Sequence, residues 1–163
     1  MVGTIDTKQN GLLMAMTTTL KNKQYTYEAG DIGNDDIERP KHGLAFFIGQ
    51  KSKKINITIK DNKPVVDINL DLTGAIDEYE WDDLKNKNKV KQLNEHVQNQ
   101  IQTDCQNLIK YMQSVESDPI GIGDMVRAYH NIYWKNVDWH TAYKNAKITA
   151  HVKFNIIEYG DTT

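Results

Sequence analysis

Residues 54–72 read KINITIKDNKPVVDINLDL. Ile55, Ile57 and Ile59 alternate with Asn56, Thr58 and Lys60, and Val66, Ile68, Leu70 and Leu72 alternate with Asp67, Asn69 and Asp71. A period of two is the mark of a strand with one buried and one wet face. The four residues between the runs, Asp61-Asn62-Lys63-Pro64, are turn formers, and Pro64 has no N–H to lose at a strand's first position. The stretch therefore predicts an antiparallel hairpin that needs something apolar laid on one face.

That cover follows in sequence. Across Leu84–Glu116, residues Val90, Leu93, Val97, Ile101, Cys105, Leu108, Met112 and Val115 recur at spacings of three and four, with Lys, Gln, Asn and Glu opposite. This is one amphipathic helix, on the order of 45 Å long at about 1.5 Å per residue. Upstream, Gly43–Gln50 is a short apolar strand, Gly30–His42 is loop chemistry, and Leu12–Leu20 reads as a strand from the alternation of Leu12, Met14 and Met16 and the Thr run after it. Tyr25–Glu28 reads as its returning partner, and residues 1–11 as a loose lead-in.

Downstream, Asp118-Pro119 ends the long helix and Gly121 and Gly123 allow a change of direction. A short helix capped by Asp124 carries Met125, Val126, Tyr129 and Ile132, and a second runs over Trp139–Asn145. The last strand alternates Ile148, Ala150, Val152, Phe154 and Ile156 with polar residues and should pair with the hairpin; Gly160 ends it, and 161–163 are loose. Strands and helices are segregated and no βαβ repeat occurs. The expected fold is one α+β domain over 1–163, an antiparallel β-sheet with one long α-helix packed across it and short helices before a closing strand.

The chain of 163 residues, 39% hydrophobic and 26% charged, suits one domain with a core. A formal charge of −2 gives no basic field for nucleic acid. One cysteine, Cys105, excludes an internal disulfide and a Cys-based zinc site, and its place in the helix stripe makes it a small buried hydrophobe. No apolar run reaches the ~20 residues of a membrane span, and no charged segment followed by an apolar run opens the chain. As it stands the sequence reads as soluble, without an export signal.

Chemistry is sparse. Asp31, Asp35 and Asp36 lack the calcium-loop spacing, and Gly121-Ile122-Gly123 lacks the third glycine of a dinucleotide fingerprint. His130, His140 and Asp138 would make a metal site only if they converged; surface or capping roles are the simpler reading. No G-x-S-x-G occurs, and the carboxylates Glu78, Glu80, Asp82 and Asp83 precede a helix start, where its dipole favours them. No catalytic residue, metal or cofactor is expected. Trp134 and Trp139 read as cover for one end of the core or as a contact surface.

The ordered set Gln113, Asp118, Gly121, Gly123, Arg127, Trp134-Lys135, Trp139 and Gly160, preceded by a Lys-rich turn, paired strands and a long helix, resembles the C-terminal domain of the Ger(x)C family, the C subunits of spore germinant receptors. The likeness spans about Gly43 to Gly160. It implies a noncatalytic lipoprotein domain in nutrient-triggered germination. It also implies A and B membrane subunits as partners and a place at the outer face of the spore inner membrane, held by a lipid anchor on an N-terminal part that this chain lacks. The chain therefore reads as an excised C-terminal domain whose Asp118–Tyr143 segment meets another subunit. The alternative is a nutrient or ion sensor with a pocket near Trp134, Trp139 and His140.

Overall fold

The computed structural model describes residues 3–17, 46–76 and 87–157. The elements are α1 (Thr7–Thr17), β1 (Phe46–Lys60), β2 (Lys63–Ile76), α2 (Lys87–Ser114), α3 (Ile122–Tyr129), α4 (Asn131–Lys135), α5 (Trp139–Lys144) and β3 (Lys147–Ile157). The α+β class is as the periodicities require.

β1 and β2 form the expected antiparallel hairpin, with Ile55 opposite Ile68 and Ile57 opposite Val66. Its turn residues Asp61 and Asn62 both have positive φ, 48° and 56°, the pairing whose twist matches that of the strands. The two strands read over Gly43–Gln50 and Lys53–Lys60 are one from Phe46 onward, with a register irregularity between Gln50 and Ser52; 43–45 lie outside the described residues. β3 pairs with β2, but in parallel, Leu70 against Val152 and Leu72 against Phe154. The sheet is mixed, in the order β1-β2-β3. A hairpin turn enforces antiparallel pairing only between β1 and β2; α2 intervenes before β3 and carries the chain back to the sheet's starting end.

One face of the sheet is apolar. Val66, Ile68, Leu70 and Leu72 of β2 and Ile148, Ala150, Val152 and Phe154 of β3 are buried. Against them lies the α2 stripe of Leu93, Val97, Ile101, Cys105, Leu108 and Met112, joined by Ile109. The stripe follows the expected spacing, and the helix is continuous through 99–104. The start of α2 expected at Leu84 lies outside the described residues.

The Leu12–Leu20 strand reading is wrong as far as Thr17: this stretch is helix α1, which begins at Thr7, so 7–11 are its first turns and no loose lead-in. Leu, Met and Ala are among the best helix formers, and burial of Leu12, Ala15 and Met16 follows an i, i+3, i+4 pattern. Asp6 and Gln9 close a reciprocal capping box, Gln9 N–H to Asp6 Oδ1 at 2.7 Å and Asp6 N–H to Gln9 Oε1 at 3.0 Å. Lys53 Nζ donates to the Met16 and Thr17 carbonyls at 3.2 and 2.8 Å, a cation at a helix C-terminus; burial lowers its pKa. The readings at Tyr25–Glu28, Gly30–His42 (with Asp31, Asp35 and Asp36), the 78–83 acidic cluster and Gly160 lie outside the described residues.

Candidate interaction segment

α2 is closed by a residue in the left-handed region. Glu116 has φ 55°, Ser117 N–H bonds the Met112 carbonyl at 3.0 Å and Glu116 N–H that of Gln113 at 3.2 Å, the two bonds of a Schellman cap. Two residues on, Asp118 organises the next turn. Its Oδ1 accepts from the Gly121 and Ile122 N–H groups at 3.1 and 3.0 Å, and its Oδ2 from Gly123 N–H at 2.7 Å. The Ile122 and Gly123 N–H groups are orphan donors at the start of α3, while Gly121 N–H also reaches the Asp118 carbonyl at 3.2 Å. The expected cap, Asp124, instead forms an exposed ion pair with Arg127 at 3.0 Å.

Gly121 has φ 78°, where only glycine is unstrained. Gly123 is buried beneath Trp139: a Cβ there would sit 2.7 Å from the indole Nε1. Trp139 lies 5.2 Å from Trp134 and 5.9 Å from Tyr143, ring centre to ring centre, both tilted by 39°. Both tryptophans are half-buried against the core and Tyr143 is buried. The Tyr143 hydroxyl donates to the Ser117 carbonyl at 2.9 Å, and burial, with the Asp118 charge second, pushes its pKa well above the ordinary value. Gln113 Nε2 donates to the Tyr143 and Ala146 carbonyls at 2.8 and 3.0 Å, tying α2 to the end of α5.

Gln113, Asp118, Gly121, Gly123 and Trp139 thus converge on one joint, with Trp134 stacked on its edge. Arg127 and Lys135 do not; both are exposed. His130 and His140 do not converge either. His130 Nε2 meets the Ile57 carbonyl at 3.2 Å while His140 is exposed. Asp138 caps α5 through Thr141, whose hydroxyl, at 2.6 Å, and backbone N–H hold the carboxyl below the usual range. Among the described residues no three His, Cys, Asp or Glu side chains are grouped to hold a metal. A groove of about 480 Å³ lies beside the joint, between the β1–β2 turn and α4–α5, lined by Asn62, Lys63, Tyr133, Asp138, Thr141 and Asn145. Trp134, Trp139 and His140 do not line it.

The sequence reading missed the exposure of Tyr129 and Ile132 by putting them with Met125 and Val126 on one short helix. They are 82% and 83% exposed. The helix breaks at His130 (φ −128°, ψ 46°), so α3 and α4 do not share a continuous face. Helical periodicity carries no signal for such a break.

The family model for the spore germination B3/GerAC-like C-terminal domain matches residues 1–160. The chain belongs to that family. Spore germination protein B3 of Bacillus subtilis (strain 168) is 24% identical over 149 residues, covering 88% of this chain and 39% of that protein. The crystal structure of the GerBC protein superposes with a TM-score of 0.75 at 22% identity, over 96% of this chain and 47% of that one, a likeness of fold. The chain therefore spans less than half the length of these family members. Among the described residues no helix is long and apolar enough to cross a membrane.

Proposed function

We propose that this GerAC-type domain is a noncatalytic part of a spore germinant receptor's C subunit and acts by protein contact. Its α3–α5 segment meets another receptor subunit, the A or B membrane protein. The lipid anchor and the position on the outer face of the inner membrane belong to the same reading and rest on family membership. The carrying observation is the outward pair Tyr129 and Ile132, 82% and 83% exposed. They stand beside a joint fixed by the Asp118 bonds and the Gln113 tie. Large exposed apolar side chains on a rigid support are what an interface core uses.

The test is made in spores carrying the full-length protein. Tyr129→Asp with Ile132→Asp slows or abolishes nutrient-triggered germination while protein level and fold are unchanged. Normal germination in that variant overturns the contact reading.

The second reading, a nutrient or ion sensor, draws on the groove between Lys63 and Asp138, with a cationic and an anionic side chain on its walls. It no longer draws on a pocket at the tryptophans, because Trp134, Trp139 and Tyr143 stack on one another there. Amide-resolved titration of the domain with germinants separates the two. Shifts confined to the groove favour sensing, and a flat response favours contact.

A further inference from the structure

α2 runs antiparallel along the outer edge of β3 and satisfies that edge with side-chain amides. Asn94 Oδ1 accepts from Ile156 N–H at 2.9 Å and Asn94 Nδ2 donates to the Phe154 carbonyl at 2.8 Å. Gln98 Oε1 accepts from Phe154 N–H at 3.0 Å and Gln102 Oε1 from Val152 N–H at 3.2 Å. Gln106 Oε1 accepts from Ala150 N–H at 3.1 Å while its Nε2 donates to the Ile148 carbonyl at 2.8 Å. The ladder works because four helical residues advance about 6.0 Å and two strand residues about 6.6 Å.

The apolar row beside it has the same period: Leu93, Val97, Ile101, Cys105 and Ile109 are all buried. A slide of α2 by one turn toward its N-terminus therefore places each amide on its predecessor's rung and each apolar side chain in its predecessor's socket. The last rung of the ladder changes character, and in the apolar row Gln113 would enter the buried socket of Ile109 and Ile109 that of Cys105. Lys110 would arrive where Gln106 now stands, able to donate to the Ile148 carbonyl but not to accept from Ala150 N–H. The opposite slide brings Val90, which has no amide, opposite Ile156.

What distinguishes the observed register lies largely outside the ladder. Gln113 grips the Tyr143 and Ala146 carbonyls, Tyr111 donates to the Thr4 carbonyl at 3.0 Å, and Lys8 pairs with Asp104 at 2.8 Å.

We propose that α2 is a two-position element, a helix that ratchets by one turn along β3 with Gln113 as its latch. Packed elements with discrete, near-equivalent arrangements switch in such steps. In the shifted position Gln113 leaves α5, so whatever grips the α3–α5 segment biases the position of α2. The inference holds whichever partner that segment meets.

The test uses spin-label distances in this chain, with Cys105 left in place because it is buried and its thiol is neutral. One pair is Ser114→Cys with Asn155→Cys, the other Lys91→Cys with Lys147→Cys; all four sites are exposed. Gln113→Ala is expected to add a second population, shorter in the first pair and longer in the second, by up to about 6 Å. Lys110→Gln, at an exposed site, supplies the missing acceptor for the shifted register and is expected to raise that population on its own. A single unshifted distance in both pairs of the Lys110→Gln chain overturns the proposal. So does lengthening of both pairs together, the signature of fraying.

Discussion

Trp139 lies over Gly123 so closely that the indole occupies the space of a side chain: a Cβ at 123 would come within 2.9 Å of Cε2 and 2.7 Å of Nε1. Gly123→Ala must push Trp139 off the joint, and overpacking of this kind costs about 1–3 kcal/mol. Gly121→Ala meets nothing within 4 Å, but φ 78° is strained for alanine, at about 1 kcal/mol. Urea unfolding should rank Gly123→Ala as the more damaging. Combining it with Trp139→Ala should cost less than the sum of the two, because the indole is what it collides with. Additivity would disprove the contact.

Asp118 serves three backbone N–H groups at once. Asp118→Ala should destabilise by about 1–2 kcal/mol, the upper range for a lost helix cap. Asp124→Ala, which loses only an exposed ion pair with Arg127, should change stability by under about 0.5 kcal/mol. Equal losses in the two variants would return the capping role to Asp124.

The amide ladder makes an unusual prediction for an edge strand. The N–H groups of Ala150, Val152, Phe154 and Ile156 are on the edge of β3 that faces α2 and would exchange with solvent freely if uncovered. Bonded to α2, they should exchange slowly. Gln98→Leu should expose Phe154 N–H and cost about 1–3 kcal/mol, as an orphaned donor does. Fast exchange of these four amides in the unaltered chain would contradict the ladder.

These three cases show where a linear reading succeeds and where it stops. The hairpin and the α2 stripe were legible because one face meets core and the other water, which imprints a period on the sequence. Asn94, Gln98, Gln102 and Gln106 were legible as a polar face but not as edge caps, since a Gln bonded to a strand looks the same as one bonded to water. The parallel entry of β3 depends on how α2 crosses the fold, and no residue pattern within β3 encodes it. The strand reading of Leu12–Leu20 fails over 12–17 because an alternation of three residues outweighed the Asp6/Gln9 capping box just before it. At the joint, Gln113, Asp118, the two glycines and Trp139 are grouped by the family resemblance, which equally included the exposed Arg127 and Lys135, while the outward turn of Tyr129 and Ile132 depends on the backbone at His130.

Two buried acids give the stability a pH dependence. Burial pushes the Cys105 thiol from 9.0 up to about 12, with the Asp104 charge second, and raises the Tyr143 hydroxyl above its ordinary value. In both cases the folded pKa exceeds the unfolded one. The contribution is complete below about pH 9 and is lost as pH rises, because the unfolded chain ionises first. Unfolding midpoints should fall from pH 9 upward, less steeply in Cys105→Ala and Tyr143→Phe than in the unaltered chain. The thiol should also resist maleimide at pH 7 to 8 until the chain unfolds. Labelling of the native fold at the rate of a free thiol would refute its burial.

Glu116 is a test of which of two opposed effects wins. Its left-handed conformation costs a non-glycine residue about 1–2 kcal/mol. What it gains there is an ion pair with Lys144 at 3.4 Å, both side chains about half exposed, and such surface pairs contribute about 0–1 kcal/mol. The backbone strain outweighs the ion pair. Glu116→Gly should therefore stabilise the domain, by about 0.5–1 kcal/mol after the glycine's added freedom in the unfolded chain is counted. Lys144→Ala, which removes the pair and leaves the strain, should be slightly destabilising or neutral. If Glu116→Gly lowers the unfolding midpoint while Lys144→Ala lowers it equally, the ion pair and not the Schellman geometry governs this turn.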